Sequence, residues 1–223
     1  MLAEVGHFLV HAPATLALKL RLPPAALYAT LIERADAAGL AERRAALVRD
    51  LTGHVVEVGC GTGAMFAHYR GQVRVTAIEP DHAFGARAVP AAAAAAVPVS
   101  VAFASGDAIP LPDASADAAV LALVLCSVRS VDAVCRDVAR VVRPGGIVRL
   151  LEHVRSPGRI AGTLMRAFDP LWHLANGQGC HMARDPLPAL ERAGLRIAAI
   201  EPFQIWSAGL PAFPMRLIEA VRY

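Results

Sequence analysis

From His54 to His153, short apolar runs alternate with helical stretches, and nothing else in the chain narrows its fold as far. Residues 54–58, 73–78, 99–103, 117–124 and 147–153 read as strands rich in Val, Ile, Leu and Ala. Between them, residues 63–70, 81–96 and 131–142 read as helices, the last stopped by Pro144-Gly145-Gly146. Apolar strands separated by helical crossovers predict a doubly wound, mainly parallel α/β sheet. Two further runs, 195–201 and 217–223, can pair as terminal strands, which makes a seven-stranded sheet with an antiparallel C-terminal strand. Helices are expected over 160–174 and 185–193, with Gly194 capping the second. Residues 1–52 show helical Leu spacing, a break at Pro23-Pro24 and no strand pattern. They predict a helical lid ahead of one sheet domain at 53–223.

Composition fits this class and removes others. The chain has 223 residues, 56% hydrophobic and 18% charged, so it is not a disordered polymer. Aromatics are only 5%, so small aliphatic side chains must fill the core. All but one (Lys19) of the 22 basic residues are Arg, scattered among acids at a net charge of +3. That distribution gives no reason to expect a nucleic-acid partner. A membrane span needs roughly 20 apolar residues, and the strongest run, 118–128, is about half that. The stretch 8–22 carries His11, Lys19 and Arg21 and lacks the form of a signal peptide. Cys60, Cys126, Cys135 and Cys180 show neither a disulfide framework nor metal-ligand spacing. Free thiols, no metal and a cytoplasmic location are therefore expected.

The sharpest local feature is Val55-Val56-Glu57-Val58-Gly59-Cys60-Gly61-Thr62-Gly63, which links the first strand to the segment after it. Ligands of doubly wound sheets bind beyond the carboxyl ends of the strands, near the point where strand order reverses. Glycines there permit left-handed turns and close backbone approach. Gly59, Gly61 and Ala64 also satisfy a loose dinucleotide pattern. Three acids separate the alternatives. Glu57 precedes the glycines, where a carboxylate repels a pyrophosphate but attracts a cation. Glu79 ends the second strand about 20 residues after Gly59, at the place where a carboxylate accepts both ribose hydroxyls. Asp107 follows the third strand and can accept from an exocyclic amine. Together they describe a pocket for a cationic adenosine compound.

On these residues the chain resembles the class I S-adenosylmethionine-dependent methyltransferases, a Rossmann-like family. Residues 57–63 match the family's first motif and Ala77-Ile78-Glu79-Pro80-Asp81 the second. Residues 106–113 with 117–120 match the third, and residues 140–146 the fourth. The resemblance implies that Glu57, Gly59, Cys60, Gly61 and Gly63 line the methionine part of S-adenosylmethionine. It implies that Glu79, beside Pro80, holds the ribose, that Asp107 and the Ala108 amide hold the adenine, and that Ala122 and Leu123 face the cofactor. The product would be S-adenosylhomocysteine. Residues 61–66 with His68-Tyr69, 123–128, 152–154, 169–173 and 179–185 are similar to the thiol S-methyltransferase group and to its relatives near the ubiquinone and menaquinone methyltransferases. Animal members of that group carry an N-terminal membrane anchor, which is not expected here, and the tail after Pro202 departs from their pattern.

Methyl transfer from a sulfonium needs an acceptor lone pair in line, and a thiol acceptor needs only deprotonation from its usual pKa of about 8.5. The acceptor is expected to be a small, apolar molecule offering sulfur or oxygen first, carbon or nitrogen second. His153, at the end of the fifth strand, is the leading candidate base or orienter, followed by His173 and His181; each is equally readable as a structural hydrogen-bonding histidine. Tyr28, Phe66, Cys126, Trp172, Phe203 and Trp206 are candidate walls of the acceptor pocket, with core packing the alternative for Phe66 and Cys126. Cys180 beside His181 suggests a Cys/His pair, although adjacency in sequence does not join side chains. Two other readings are an NAD-dependent oxidoreductase, from Gly59, Gly61 and Ala64, and a non-catalytic cofactor-binding scaffold.

Overall fold

A computed structural model of the chain describes residues 20–176, 179–205 and 214–223. Two helices precede the sheet, α1 (Pro24–Ala35) and α2 (Ala41–Val48). Pro24 opens α1, where a missing N–H removes no intrahelical bond. The helices meet across Gly39, whose φ of 108° suits a residue without Cβ.

Then come β1 (Gly53–Val58), β2 (Val73–Ile78), α3 (His82–Ala93), β3 (Val99–Ala102), β4 (Ala116–Ala122), α4 (Val131–Val141) and β5 (Val142–His153). The chain continues with α5 (Arg159–Asn176), α6 (Leu187–Arg192), β6 (Leu195–Gln204) and β7 (Pro214–Arg222). The strand order is β3-β2-β1-β4-β5-β7-β6. β1 pairs in parallel with both β2 and β4, so the order reverses between β1 and β4. β7 runs antiparallel to both of its neighbours, which gives the expected antiparallel strand and the pairing of the two terminal strands.

Each sheet face has its own core. Val56 and Val58 of β1 pack with Val134, Cys135 and Val138 of α4 and Leu190 of α6. Val55, of opposite parity, packs with Leu40, Leu47 of α2 and the buried Phe66 and Tyr69. The spacing of Val134, Cys135, Val138 and Val141 puts one apolar stripe of α4 on the sheet. Along α5 the pattern is reversed, since Ile160, Leu164, Phe168, Leu171 and Leu174 are exposed. No helix of the described residues is long and apolar enough to cross a membrane.

Two elements differ from the sequence expectation. The helix expected over 63–70 is replaced by turns and a single 3-10 turn at Phe66–His68. Gly63 is left-handed at φ 85°, and Tyr69 leaves the turn extended, fully buried, to reach Glu57. Burial of the Tyr69 ring outweighs helix continuation there. β5 also begins earlier than expected. Val142 pairs with Ala116, the ladder breaks at a bulge, and Ile147 resumes opposite Ala118. Gly146 permits this, because a Cβ there would lie 2.8 Å from the Asp117 carbonyl oxygen.

Candidate functional site

The carboxyl ends of β1, β2 and β4 converge at the topological reversal. Gly59 and Cys60 donate their amides to the Ile78 carbonyl at 2.8 and 3.0 Å, which folds the glycine loop back over β2. Gly59 and Gly61 are left-handed at φ 68° and 57°. A Cβ at Gly59 would meet Val124 at 2.8 Å, so the loop lies too close to β4's exit for any side chain. Glu79 locks the arrangement. One carboxylate oxygen accepts from the Gly61 amide at 2.9 Å and the other from the Asp81 amide at 3.0 Å. Asp81 in turn caps α3 by accepting from Ala83 at 2.7 Å. Burial raises the Glu79 pKa, while the two amide bonds pull it down.

Glu57 lies differently from its expected place. It is fully buried and accepts from the Tyr69 hydroxyl at 2.8 Å instead of opening onto the glycine loop. Burial lifts its pKa to about 8 against the opposing effects of that hydrogen bond and of the Arg44 charge. Arg44, from α2, is itself buried and pairs through Nε with Asp36 at 2.9 Å. Its Nη2 has no hydrogen-bond partner among the described residues. An orphaned guanidinium donor whose charge acts on both Glu57 and Tyr28 fits a ligand that bears a carboxylate. Tyr28, expected in the acceptor pocket, instead packs over the glycine loop, 3.4 Å from a Cβ built at Gly61, with its ring 5.3 Å from Phe84.

Asp107 is exposed and accepts from the Ser105 hydroxyl. The Ala108 amide, expected to meet the adenine, donates to the Ser105 carbonyl at 3.0 Å. Gly106 brings this turn against β1, where a Cβ would lie 2.6 Å from Val58. Cys60 is buried and its thiol pKa is pushed up by burial. Pro80 is exposed. Ala122 is buried at the end of β4, and Leu123 follows at φ 64°.

A second cluster forms beyond β4 and β5. The amides of Val124 and Leu125 donate to one oxygen of the buried Glu152, at 2.7 and 2.8 Å. The loop so anchored carries Cys126. Next to Glu152, His153 Nε2 lies 2.8 Å from Cys180 Sγ. The Trp172 indole N–H donates to the same sulfur at 3.4 Å. The side chain of Asn176 accepts from the Cys180 amide at 3.2 Å and donates to its carbonyl at 2.8 Å. The His181 amide donates to the Cys126 carbonyl at 2.8 Å, and Arg184 Nη1 donates to the Leu125 and Val128 carbonyls. Cys126 Sγ donates to the Leu123 carbonyl at 3.6 Å and lies within 4.8 Å of Cys180 Sγ, and the interaction of the two sulfurs holds the Cys180 thiol below its usual range and pushes Cys126 well above. Burial opposes the His153 imidazolium, but the Cys180 hydrogen bond and charge outweigh it and raise its pKa.

Thus, of the three expected catalytic histidines, His153 meets Cys180, while His173 and His181 stack at 4.1 Å. His181 Nδ1 is held by Asp169 at 2.8 Å, in a structural pair beside the cluster. The Cys/His pair that forms is Cys180 with His153, not the sequence neighbour His181. Trp172 and Cys126 do join the cluster. Phe66 is buried beneath Gly63, as its core reading anticipates. Phe203 on β6 lies under the Arg43 guanidinium at 4.8 Å. Trp206 lies outside the described residues. Sequence reasoning missed Glu152 and Arg44 as site residues, and it weighed Cys180 only beside His181. A charged residue inside an apolar strand run was the available signal for Glu152.

A family profile described as a methyltransferase domain matches residues 56–150. The chain is 36% identical over 154 residues to human thiol S-methyltransferase TMT1A, covering 67% of this chain and 63% of that protein. It is 34% identical over 189 residues to rat thiol S-methyltransferase TMT1B, covering 78% of this chain and 75% of that protein. Among solved structures, geranyl diphosphate C-methyltransferase from Streptomyces coelicolor A3(2), in complex with S-adenosyl-L-homocysteine, shares the fold. The match has a TM-score of 0.63 at 15% identity and covers 82% of this chain and 77% of that one.

Proposed function

This chain belongs to the S-adenosylmethionine-dependent methyltransferases, and from that premise we propose that it methylates the sulfur of a small, apolar thiol. S-adenosylmethionine, when bound, supplies an electrophilic methyl carbon on a sulfonium. The single observation that carries the cofactor assignment is the cradle of Gly59 and Gly61 locked by Glu79. Val124 leaves no room for a Cβ at Gly59, and the Glu79 carboxylate at the end of β2 supports its reading as the ribose acceptor. In this reading Arg44 takes the amino-acid carboxylate, Asp107 the adenine amine and Glu79 the ribose hydroxyls. Ala122 and Leu123 border the methyl, and the helical segment through α2 serves as a lid, with Tyr28 closing over the loop.

The thiol acceptor rests on the names of the relatives and on the surroundings of Cys126, His153 and Cys180. An acceptor thiol must lose its proton near neutral pH, and a polar cluster built around sulfur lies at the end of the strands next to the cofactor cradle. The purified chain, incubated with labelled S-adenosylmethionine and separate panels of thiols, phenols, quinones and amines, is expected to yield methyl thioethers. Product from phenols, quinones or amines, with none from thiols, would replace the acceptor assignment. Nicotinamide nucleotide bound more tightly than S-adenosylhomocysteine would replace the family's cofactor in this chain.

A further inference from the structure

Cys126, His153 and Cys180 come from three separate segments: the loop after β4, the end of β5 and the loop after α5. Their ligand atoms, two Sγ and one imidazole nitrogen, all lie within 4.8 Å of one another. We propose that these three side chains form a transition-metal site, suited to zinc, whose open fourth position takes the acceptor thiol.

The donor set argues for the metal. Two thiolates and one imidazole with a fourth position left over is a donor set of catalytic zinc, and soft sulfur selects zinc over hard cations. Zinc holds sulfur at about 2.3 Å and nitrogen at about 2.0 Å, so a tetrahedral S–Zn–N pair spans about 3.6 Å. His153 Nε2 and Cys180 Sγ stand at 2.8 Å, and they would part by less than about an ångström to admit the ion. The surroundings are those of a supported site. The Trp172 indole N–H donates to one ligand sulfur. Asn176 fixes the backbone of the same residue on both sides. Glu152 anchors the loop of the other cysteine, and its Oε2 is buried with no hydrogen-bond partner among the described residues. Two thiolates neutralise the dication, and Cys180 is only half-buried, which leaves a path to solvent.

The role of the fourth position rests on the thiol reading above. An acceptor thiol that enters it loses its proton to solvent, because a metal-bound thiol is held as thiolate at neutral pH. Its sulfur then forms a bond to the methyl carbon while the carbon–sulfonium bond breaks, and that electron pair returns to the sulfonium sulfur. The product is a neutral thioether, a weaker ligand than thiolate, and it leaves the metal.

The test uses the full chain, purified and reconstituted with cobalt(II). We expect one metal per chain, a thiolate-to-cobalt charge-transfer band and visible ligand-field bands of tetrahedral intensity. Cys180→Ser and His153→Ala are expected to lower cobalt affinity by at least about ten-fold. Cys135→Ser, at a buried thiol of α4 outside the three-ligand cluster, keeps the full spectrum. Circular dichroism separates loss of the site from loss of the fold. Absence of stoichiometric metal and of the charge-transfer band in the folded wild-type chain overturns the site, whatever the activity. Titration with thiophenol is expected to shift the cobalt bands. Bands that persist but do not respond to thiophenol overturn the acceptor role, while methyl thioether formation in the separate panel reports on the thiol reading itself.

Discussion

Leu123 stands in the left-handed region at φ 64° where β4 ends, one of three non-glycine residues with positive φ among those described. The conformation costs an L-residue roughly 1–2 kcal/mol. It persists because the bonds around it over-determine it. Its own amide donates to Leu151 at 2.7 Å, and the next two amides both donate to Glu152. The kink turns Cys126 toward His153 and keeps Val124 against Gly59. Leu123→Gly is therefore expected to be more stable than Leu123→Ala by about 1 kcal/mol, since only glycine relieves the backbone. Urea midpoints of the two variants decide this, and Ala matching Gly would remove the strain argument. Asp107 makes the opposite case. It is exposed, so Asp107→Ala should leave the unfolding midpoint unchanged while weakening S-adenosylmethionine binding by roughly ten-fold or more, as expected for a lost charged hydrogen bond. Calorimetry showing unchanged affinity would move the adenine elsewhere. At this scale the glycines and Glu79 were legible because their roles are local to one turn and the strand next to it. Cys180 was not, because its partner His153 is 27 residues away and the intervening helix sets where the thiol ends up.

At the scale of elements, strand and helix identity followed from apolar periodicity, and the misses fall where packing overrides it. The segment after the glycine loop has the composition of a helix, yet Met65, Phe66 and Tyr69 are all buried and the backbone turns to deliver them. Gly63 is the pivot. A Cβ there would lie 2.8 Å from the Phe66 ring and 2.9 Å from Ala91 of α3. Gly71, also left-handed at φ 77°, has nothing within 4 Å of its virtual Cβ. Alanine at either position meets the same backbone penalty, and only Gly63→Ala adds overpacking. Gly63→Ala is expected to destabilise the fold by about 1–3 kcal/mol more than Gly71→Ala. Thermal or urea unfolding of the pair measures the difference. Equal losses would mean that the Phe66 ring yields freely and the turn is not packed as described. The early start of β5 has the same character. The sequence Pro144-Gly145-Gly146 reads as a stop, but the close approach of Gly146 to Asp117 is a tertiary fact that periodicity does not carry.

For the molecule as a whole, the sheet separates an aliphatic core under α4 and α6 from a second core that contains the buried polar pair Glu57 and Tyr69. The position of Glu57 on a strand was readable. Its burial was not, because it depends on α2 and on Tyr69 closing over that face. This burial makes the fold sensitive to pH in a definite direction. The Glu57 pKa rises from 4.5 to about 8 in the folded chain, with burial the largest cause. Between those values the folded state holds more protons than the unfolded state, so stability falls as pH rises. The contribution is fully present below 4.5 and is lost as pH passes through about 8. Glu79 and Glu152 shift the same way, whereas Cys180 and His68, held below their usual ranges, contribute in the opposite direction, so the Glu57 contribution is read as the difference between two chains that share all the other groups. Glu57→Gln cannot ionise and still offers an oxygen to the Tyr69 hydroxyl. Its stability is expected to decline less as pH rises, so that it gains on the wild type at pH 8 relative to pH 5. Urea midpoints of both chains at pH 5, 6.5 and 8 give the two slopes. Parallel slopes would mean that Glu57 stays ionised in the fold, paired through the Arg44 charge rather than held neutral against Tyr69. A cationic cofactor sharpens the same test, because a positive charge near Glu57 favours its ionised form. In the wild type, saturating S-adenosylmethionine should flatten the decline, and Glu57→Gln should show no such response.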